Sequence, residues 1–214
     1  MTRLAIVVEG KTEKEFIGRV LSRHLKGKGI KPTPILPGRG RGARGGNISV
    51  DSIAQEMARL YWHFDMVTSL VDYYGFRDKG TRTVEELEEY LKEKTRHRIP
   101  RRWDSRKIFP YVQQHEFEGL LFSDVSAFST LPDAPTDLQA SLHEIRSQFP
   151  TPEDINDHQN TAPSRRILRL MPRYRKVANG SVVAEKMGLD VIRAECPRFN
   201  IWVKKLESLR TAGC

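Results

Sequence analysis

Apolar positions along the chain fall first into short runs and then into helical stripes. Leu4 to Val8 is an unbroken apolar run that ends at Glu9 and Gly10. A run of that length bounded by a glycine predicts a buried strand. Beyond it Phe16, Ile17, Val20, Leu21 and Leu25 recur at helical spacing, and Gly27 and Gly29 stop the pattern. Thr12, with Glu15 three residues on, reads as the capping box of that helix. Residues 31–36 form a weaker, proline-interrupted strand, and a GRGRGARGG loop fills 38–46. A helix follows over 49–62, with Ile53, Met57, Leu60 and Tyr61 on one face. A third strand runs from Met66 to Val71 and ends at Asp72. A highly charged helix spans 83–95, and a fourth strand spans 108–112, closely followed by HEFE at 115–118. Leu120 to Phe122 continues as a strand or as a helix start.

Alternating strands and helices imply right-handed crossovers and a mostly parallel sheet. From about residue 130 the pattern changes to helical stretches at 138–147, 164–171, 181–195 and 198–209, separated by proline and Asp/Asn turns. The expectation is an α/β domain over residues 1–128 with flanking helices, and a helical C-terminal extension over 129–214 packed on it.

Composition narrows the class. With 214 residues, 38% apolar and 29% charged, the chain is long and apolar enough to bury a core. The first apolar run is too short for a signal-peptide core or a membrane span. The two cysteines, Cys196 and Cys214, are too few for a zinc site or a disulfide framework, so a reducing, cytoplasmic location is expected. A net charge of +9 and a pI near 9.7 favour polyanionic partners, nucleic acid above all.

In a parallel sheet every strand end lies on one edge, and ligands bind there near the point where strand order reverses. Glu9, Asp72 and the Glu116/Glu118 pair sit at such ends, and Glu13 follows one helical turn later. Carboxylates brought that close repel one another, and a hard divalent cation such as Mg²⁺ or Mn²⁺ relieves the repulsion. On a basic protein this points to metal-assisted phosphodiester chemistry. The plain alternative is that each acid is exposed or salt-bridged, with Glu13 favouring a helix N-terminus.

The GKT at 10–12 is not a phosphate loop, because Ala5 stands where the first glycine is required. Gly40, Gly42 and Gly45 match G-x-G-x-x-G, but they follow a proline-broken strand rather than open a helix. Arg39, Arg41 and Arg44 interleave those glycines and suit a nucleic-acid backbone; the alternative is a solvated connector. Further on, Ser164 is placed to cap a helix whose first turn carries Arg165 and Arg166, a candidate phosphate site. The alternative is an amphipathic helix with Ile167, Leu168 and Met171 facing the core. Lys176 is a second cationic candidate. TPEDIND at 151–157 reads as turn and cap chemistry, and His115 as a core or metal-adjacent imidazole.

VVEGKTEKEF, SLVDYYGF and QQHEFEGLLFSD, in this order, resemble the Toprim fold of topoisomerases, DnaG-type primases and nucleases of the overcoming-lysogenization-defect family. That likeness covers about the first 125 residues. Over nearly the whole chain, including TAPSRRI and the CPRFNIWVKKLE ending, the sequence resembles the bacterial family called domain of unknown function 4276. The Toprim resemblance implies that Glu9 binds metal or acts as general acid/base, and that Glu13 and Asp72 bind metal. The second aspartate of the usual Asp-x-Asp is Tyr74 here, so Glu116, or else Glu118, would take its place. A C-terminal lysine, by order Lys176, would assist catalysis. The resemblance further implies a role in phage defence beside an ABC- or AAA-type ATPase. A non-catalytic module that binds DNA or RNA, or that regulates an ATPase, is the rival expectation, with primase-like nucleotidyl transfer a third.

Overall fold

The computed structural model describes residues 1–38, 48–156 and 159–209. Arg39, Arg41, Arg44, Asp157 and Cys214 lie outside the described residues. The fold is α/β, built on a 5-stranded parallel sheet. Strand β1 (Thr2–Val8) is central. It pairs with β2 (Ile30–Ile35) on one side and with β3 (Met66–Asp72) on the other. Two short strands, β4 (Ile108–Phe109) and β5 (Val112–Gln113), both pair with β3.

The prolines that weaken the second strand in the sequence explain its position. Pro32 and Pro34 have no N–H to give a ladder, and β2 is an edge strand with a neighbour on one side only. The single strand expected over 108–112 is instead split in two by Pro110. Ser69 bridges the gap: its hydroxyl accepts from Tyr111 N at 3.0 Å and donates to Tyr111 O at 2.9 Å.

Alternation along β1 assigns the two faces. Ala5 and Val7 face a cluster with helices α3 (Val50–Leu60) and α4 (Val84–His97). Ser49 and Thr83 cap these helices, as their sequence positions suggest. Leu4, Ile6 and Val8 face the other cluster, which runs from Phe16 to Leu206. Its walls are α1 (Lys11–Phe16), α2 (Ser22–Gly27) and the C-terminal helices. A π-helical turn, Ile17–Leu21, joins α1 to α2 with helical dihedrals at both junctions. The expected cap at Thr12 and Glu15 is corrected: Gly10 is the cap residue, and Glu13 accepts from its N–H at 2.9 Å. Glu15 instead pairs with Arg19.

C-terminal to the sheet come α5 (Leu138–Ser147), α6 (Pro163–Leu170), α7 (Ser181–Met187), α8 (Leu189–Glu195) and α9 (Pro197–Glu207). The single helix expected over 181–195 breaks at Gly188, whose φ of 82° is one that glycine adopts without strain. Helix α9 docks against the sheet through Trp202. Its indole stacks on Tyr111 with centroids 4.8 Å apart and donates to Thr68 Oγ1 at 3.0 Å. The Glu153 carboxylate caps α9, accepting from Arg198 N at 2.8 Å and Phe199 N at 3.0 Å. Glu153 belongs to TPEDIND, whose Thr151 and Asp154 do form the expected cap. No described helix is long and apolar enough to cross a membrane.

Candidate active site

The chain leaves β1 for β2 in one direction and later reaches β3 on the opposite side of β1. The strand order therefore reverses between β1 and β3, and their C-terminal ends flank a crevice at that point. Glu9 follows directly on β1, and Asp72 is the last residue of β3. The two strands are in register, with Val8 opposite Leu70, so both carboxylates emerge on one edge.

A cleft of about 210 Å³ opens there, lined by Glu9, Asp72, Tyr74, Gly75, Glu116, Arg165 and Lys176. Gly75 makes room for Glu9: a Cβ on it would lie 2.1 Å from Glu9 Oε2 and 2.6 Å from Cδ. Asp72 Oδ1 accepts from Phe117 N at 2.8 Å and so holds the start of the 3₁₀ turn Phe117–Ser123. That turn carries Glu118, with Glu116 just before it. Glu116 Oε2 accepts from Ser164 N at 3.1 Å, at the first turn of α6. The expected cap is thereby corrected. Ala162 is the N-cap of α6, Pro163 opens the helix, and Ser164 offers its N–H to Glu116 rather than its hydroxyl to the helix.

Lys176 arrives from the π-helical turn Lys176–Gly180. Its Nζ lies 3.4 Å from Glu118 Oε2 and 3.8 Å from Glu116 Oε1. Burial alone would lower its pKa, but Glu118, Glu116 and Asp72 outweigh that and raise it. The carboxylates respond to one another. Asp72 is raised well above the usual range, first by burial and then by Glu13, Glu9, Glu118 and Glu116. Burial, with Glu9 adding to it, pushes Glu13 up to about 7 against the pull of the Gly10 N–H. Glu118, only 2% exposed, is likewise pushed up to about 7 by burial, and Lys176 opposes the shift. Such clusters of raised carboxylates concentrate at functional sites.

The structure thus gathers Glu9, Glu13, Asp72, Glu116, Lys176 and Arg165 about one crevice. Arg166 goes elsewhere: its Nε donates to Thr161 O at 2.7 Å and its guanidinium lies 5.2 Å from the Phe149 ring centroid. His115 adopts a φ of 59°, packs against Tyr74 with centroids 5.4 Å apart, and has its pKa lowered by burial. Gly75 and Tyr174 were not singled out from the sequence. Gly75 carried a readable signal, a glycine three residues beyond a strand-end acid; Tyr174 carried none.

Among the described residues no group of three Asp, Glu, His or Cys side chains stands ready around a single ion position. The chemistry of the donor set nevertheless fits a hard divalent cation. It is anionic and oxygen-only, and Glu118 Oε1 is buried without a hydrogen-bond partner.

Comparison with curated proteins and with solved structures finds no match. A family model, "Domain of unknown function (DUF4276)", matches residues 8–207, a stretch that includes Glu9, Asp72, Glu116 and Lys176. The chain belongs to the DUF4276 family.

Proposed function

We propose that this protein is a Toprim-type, metal-dependent nuclease or nuclease-like effector acting on nucleic-acid phosphodiesters. One observation carries the reading: Glu9, Glu13, Asp72, Glu116 and Lys176 converge where strand order reverses. Glu9, Glu13, Asp72 and Glu116 would hold Mg²⁺ or Mn²⁺. When bound, the cation supplies Lewis acidity and lowers the pKa of coordinated water. Arg165 and Lys176, the cations lining the cleft, bind and orient the phosphate. Glu9, in the cleft wall beside Gly75, would accept a proton from the attacking water. The net charge of +9 supports nucleic acid as the partner. The Toprim resemblance adds a neighbouring ABC- or AAA-type ATPase and a role in phage defence, and the sparse cysteines suit a cytoplasmic setting.

The rival reading is a non-catalytic module that binds nucleic acid or regulates an ATPase. It is favoured by the hydrogen bonds that Asp72 and Glu116 accept from backbone N–H groups, since acids engaged as caps need no cation.

Calorimetric titration of Mn²⁺ and Mg²⁺ into the wild type, Glu9→Ala and Asp72→Ala separates the two. Saturable binding lost in both variants supports the nuclease reading, and a screen for cleavage of DNA and RNA with and without the ATPase follows. No binding by the wild type, even with a short oligonucleotide present, refutes it in favour of the module.

A further inference from the structure

Burying a carboxylate is costly unless it is paired and hydrogen-bonded on both oxygens. Glu118 is 2% exposed, and among the described residues the side chain that bonds it is Lys176, whose Nζ lies 3.4 Å from Oε2. Its other oxygen, Oε1, is buried without a hydrogen-bond partner. Tyr174, 5% exposed, also has its hydroxyl buried and unpartnered. That hydroxyl feels the charges of Glu118 and Glu116, and a Cβ on Gly180 would come within 2.9 Å of it. Among the described residues two buried polar groups of different chemistry, Glu118 Oε1 and the Tyr174 hydroxyl, are thus left without a hydrogen bond, the second within electrostatic reach of the first.

The mobility of the parties differs. Glu118 sits in a short turn whose start is pinned by Asp72, with Phe117, Leu120 and Leu121 fully buried around it. Lys176 comes from the surface, with its side chain 43% exposed, on a long flexible stem. The ammonium can withdraw and the carboxylate cannot.

From this we infer that Glu118 is itself a ligand for a divalent cation, and that Lys176 is an internal competitor that holds the cation's place until it arrives. This rests on the metal-site reading above and extends it. Lys176 then has two positions: against Glu118 and Glu116 without the cation, and withdrawn toward the cleft mouth with it. A +1 charge left beside the cation lowers cation affinity, and removing that charge raises it.

The test is calorimetric titration of Mn²⁺ into the full-length wild type, Lys176→Met, Glu118→Gln and Glu9→Gln, with the fold of each checked by circular dichroism. The expected result is binding at least about threefold tighter in Lys176→Met and about tenfold or more weaker in Glu118→Gln. Wild-type affinity in Glu118→Gln, or affinity no tighter in Lys176→Met, overturns the inference. If Glu118→Gln does not fold, the Lys176→Met titration decides alone. If Glu9→Gln abolishes binding while both other variants match the wild type, this inference fails and the metal-site reading stands. If the wild type binds nothing, both fail.

Discussion

Gly75 is buried against the Glu9 carboxylate, and Gly75→Ala is the perturbation that reads that contact out. Its φ lies outside the region that favours glycine, so the backbone accepts alanine and only the contact matters. The new methyl would lie 2.1 Å from Glu9 Oε2, 2.6 Å from Cδ and 2.8 Å from Oε1. Reaching ordinary van der Waals separation requires the Glu9 carboxylate to move by more than about 1 Å, and overpacking of this kind costs about 1–3 kcal/mol. Two results follow. Urea unfolding should show that loss of stability, and Mn²⁺ binding should weaken because the carboxylate has left the cleft. A double-mutant cycle isolates the cause. In a Glu9→Ala background the obstructing side chain is gone, so Gly75→Ala should cost nearly nothing, with a coupling energy of about 1–3 kcal/mol. An unchanged penalty in that background, or a single variant with wild-type stability and Mn²⁺ affinity, would refute the reasoning.

Other outcomes follow from the same geometry. Glu13 and Glu118 have folded pKa values of about 7, above the usual 4.5, so the folded state binds more protons across that window. Stability should therefore fall as pH rises from about 4.5 to 7, by up to about 3 kcal/mol for each group. Urea midpoints between pH 5 and 8 measure this, and a midpoint that climbs over the range contradicts it. Trp202→Ala removes a buried indole stacked on Tyr111 and bonded to Thr68, and should cost about 3–5 kcal/mol in thermal or urea unfolding. Arg165→Glu should weaken oligonucleotide binding and flatten its salt dependence, whereas Arg166→Gln, outside the cleft, should leave both near wild type. Equal effects from the two substitutions would remove Arg165 from the proposed interface. Arg198→Met strands Glu88, which accepts from Arg198 Nη2 at 2.8 Å, and should cost about 3–5 kcal/mol in the same unfolding assay.

The sequence made the sheet legible where local signals and burial agreed. Leu4 to Val8 is a continuous apolar run because both faces of the strand are covered, and Met66 to Val71 is apolar except at Thr68 and Ser69, whose buried hydroxyls donate to Phe109 O and Tyr111 O. Convergence of Glu9, Asp72 and Glu116 was readable too, since parallel strands send their ends to one edge. Cap assignments failed where a remote side chain took the place of a local one. Glu116 reaches Ser164 across 48 positions, and no short window contains both. Thr12 looked like a cap because its spacing to Glu15 is right, but Gly10 and Glu13 hold the same spacing two residues earlier. The break at Pro110 was misjudged because Ser69 substitutes for the missing ladder bonds. The depth at which Glu118 is buried depends on helices far along the chain, and alternation around HEFE does not encode it.

One face of β1 is covered by residues that lie late in the chain, among them Phe199, Trp202 and Leu206. During synthesis the carboxylates emerge well before Arg165 and Lys176, and before the helices that bury Leu4, Ile6 and Val8. A nascent chain halted near residue 128 would have α1 and α2 but none of the C-terminal helices on that sheet face, and its acidic crevice would lack Arg165 and Lys176. Such intermediates are prone to aggregate. The crevice is therefore completed only once residue 176 has been made, so a partly made copy of this protein holds its buried carboxylates without the two cations that line the finished cleft.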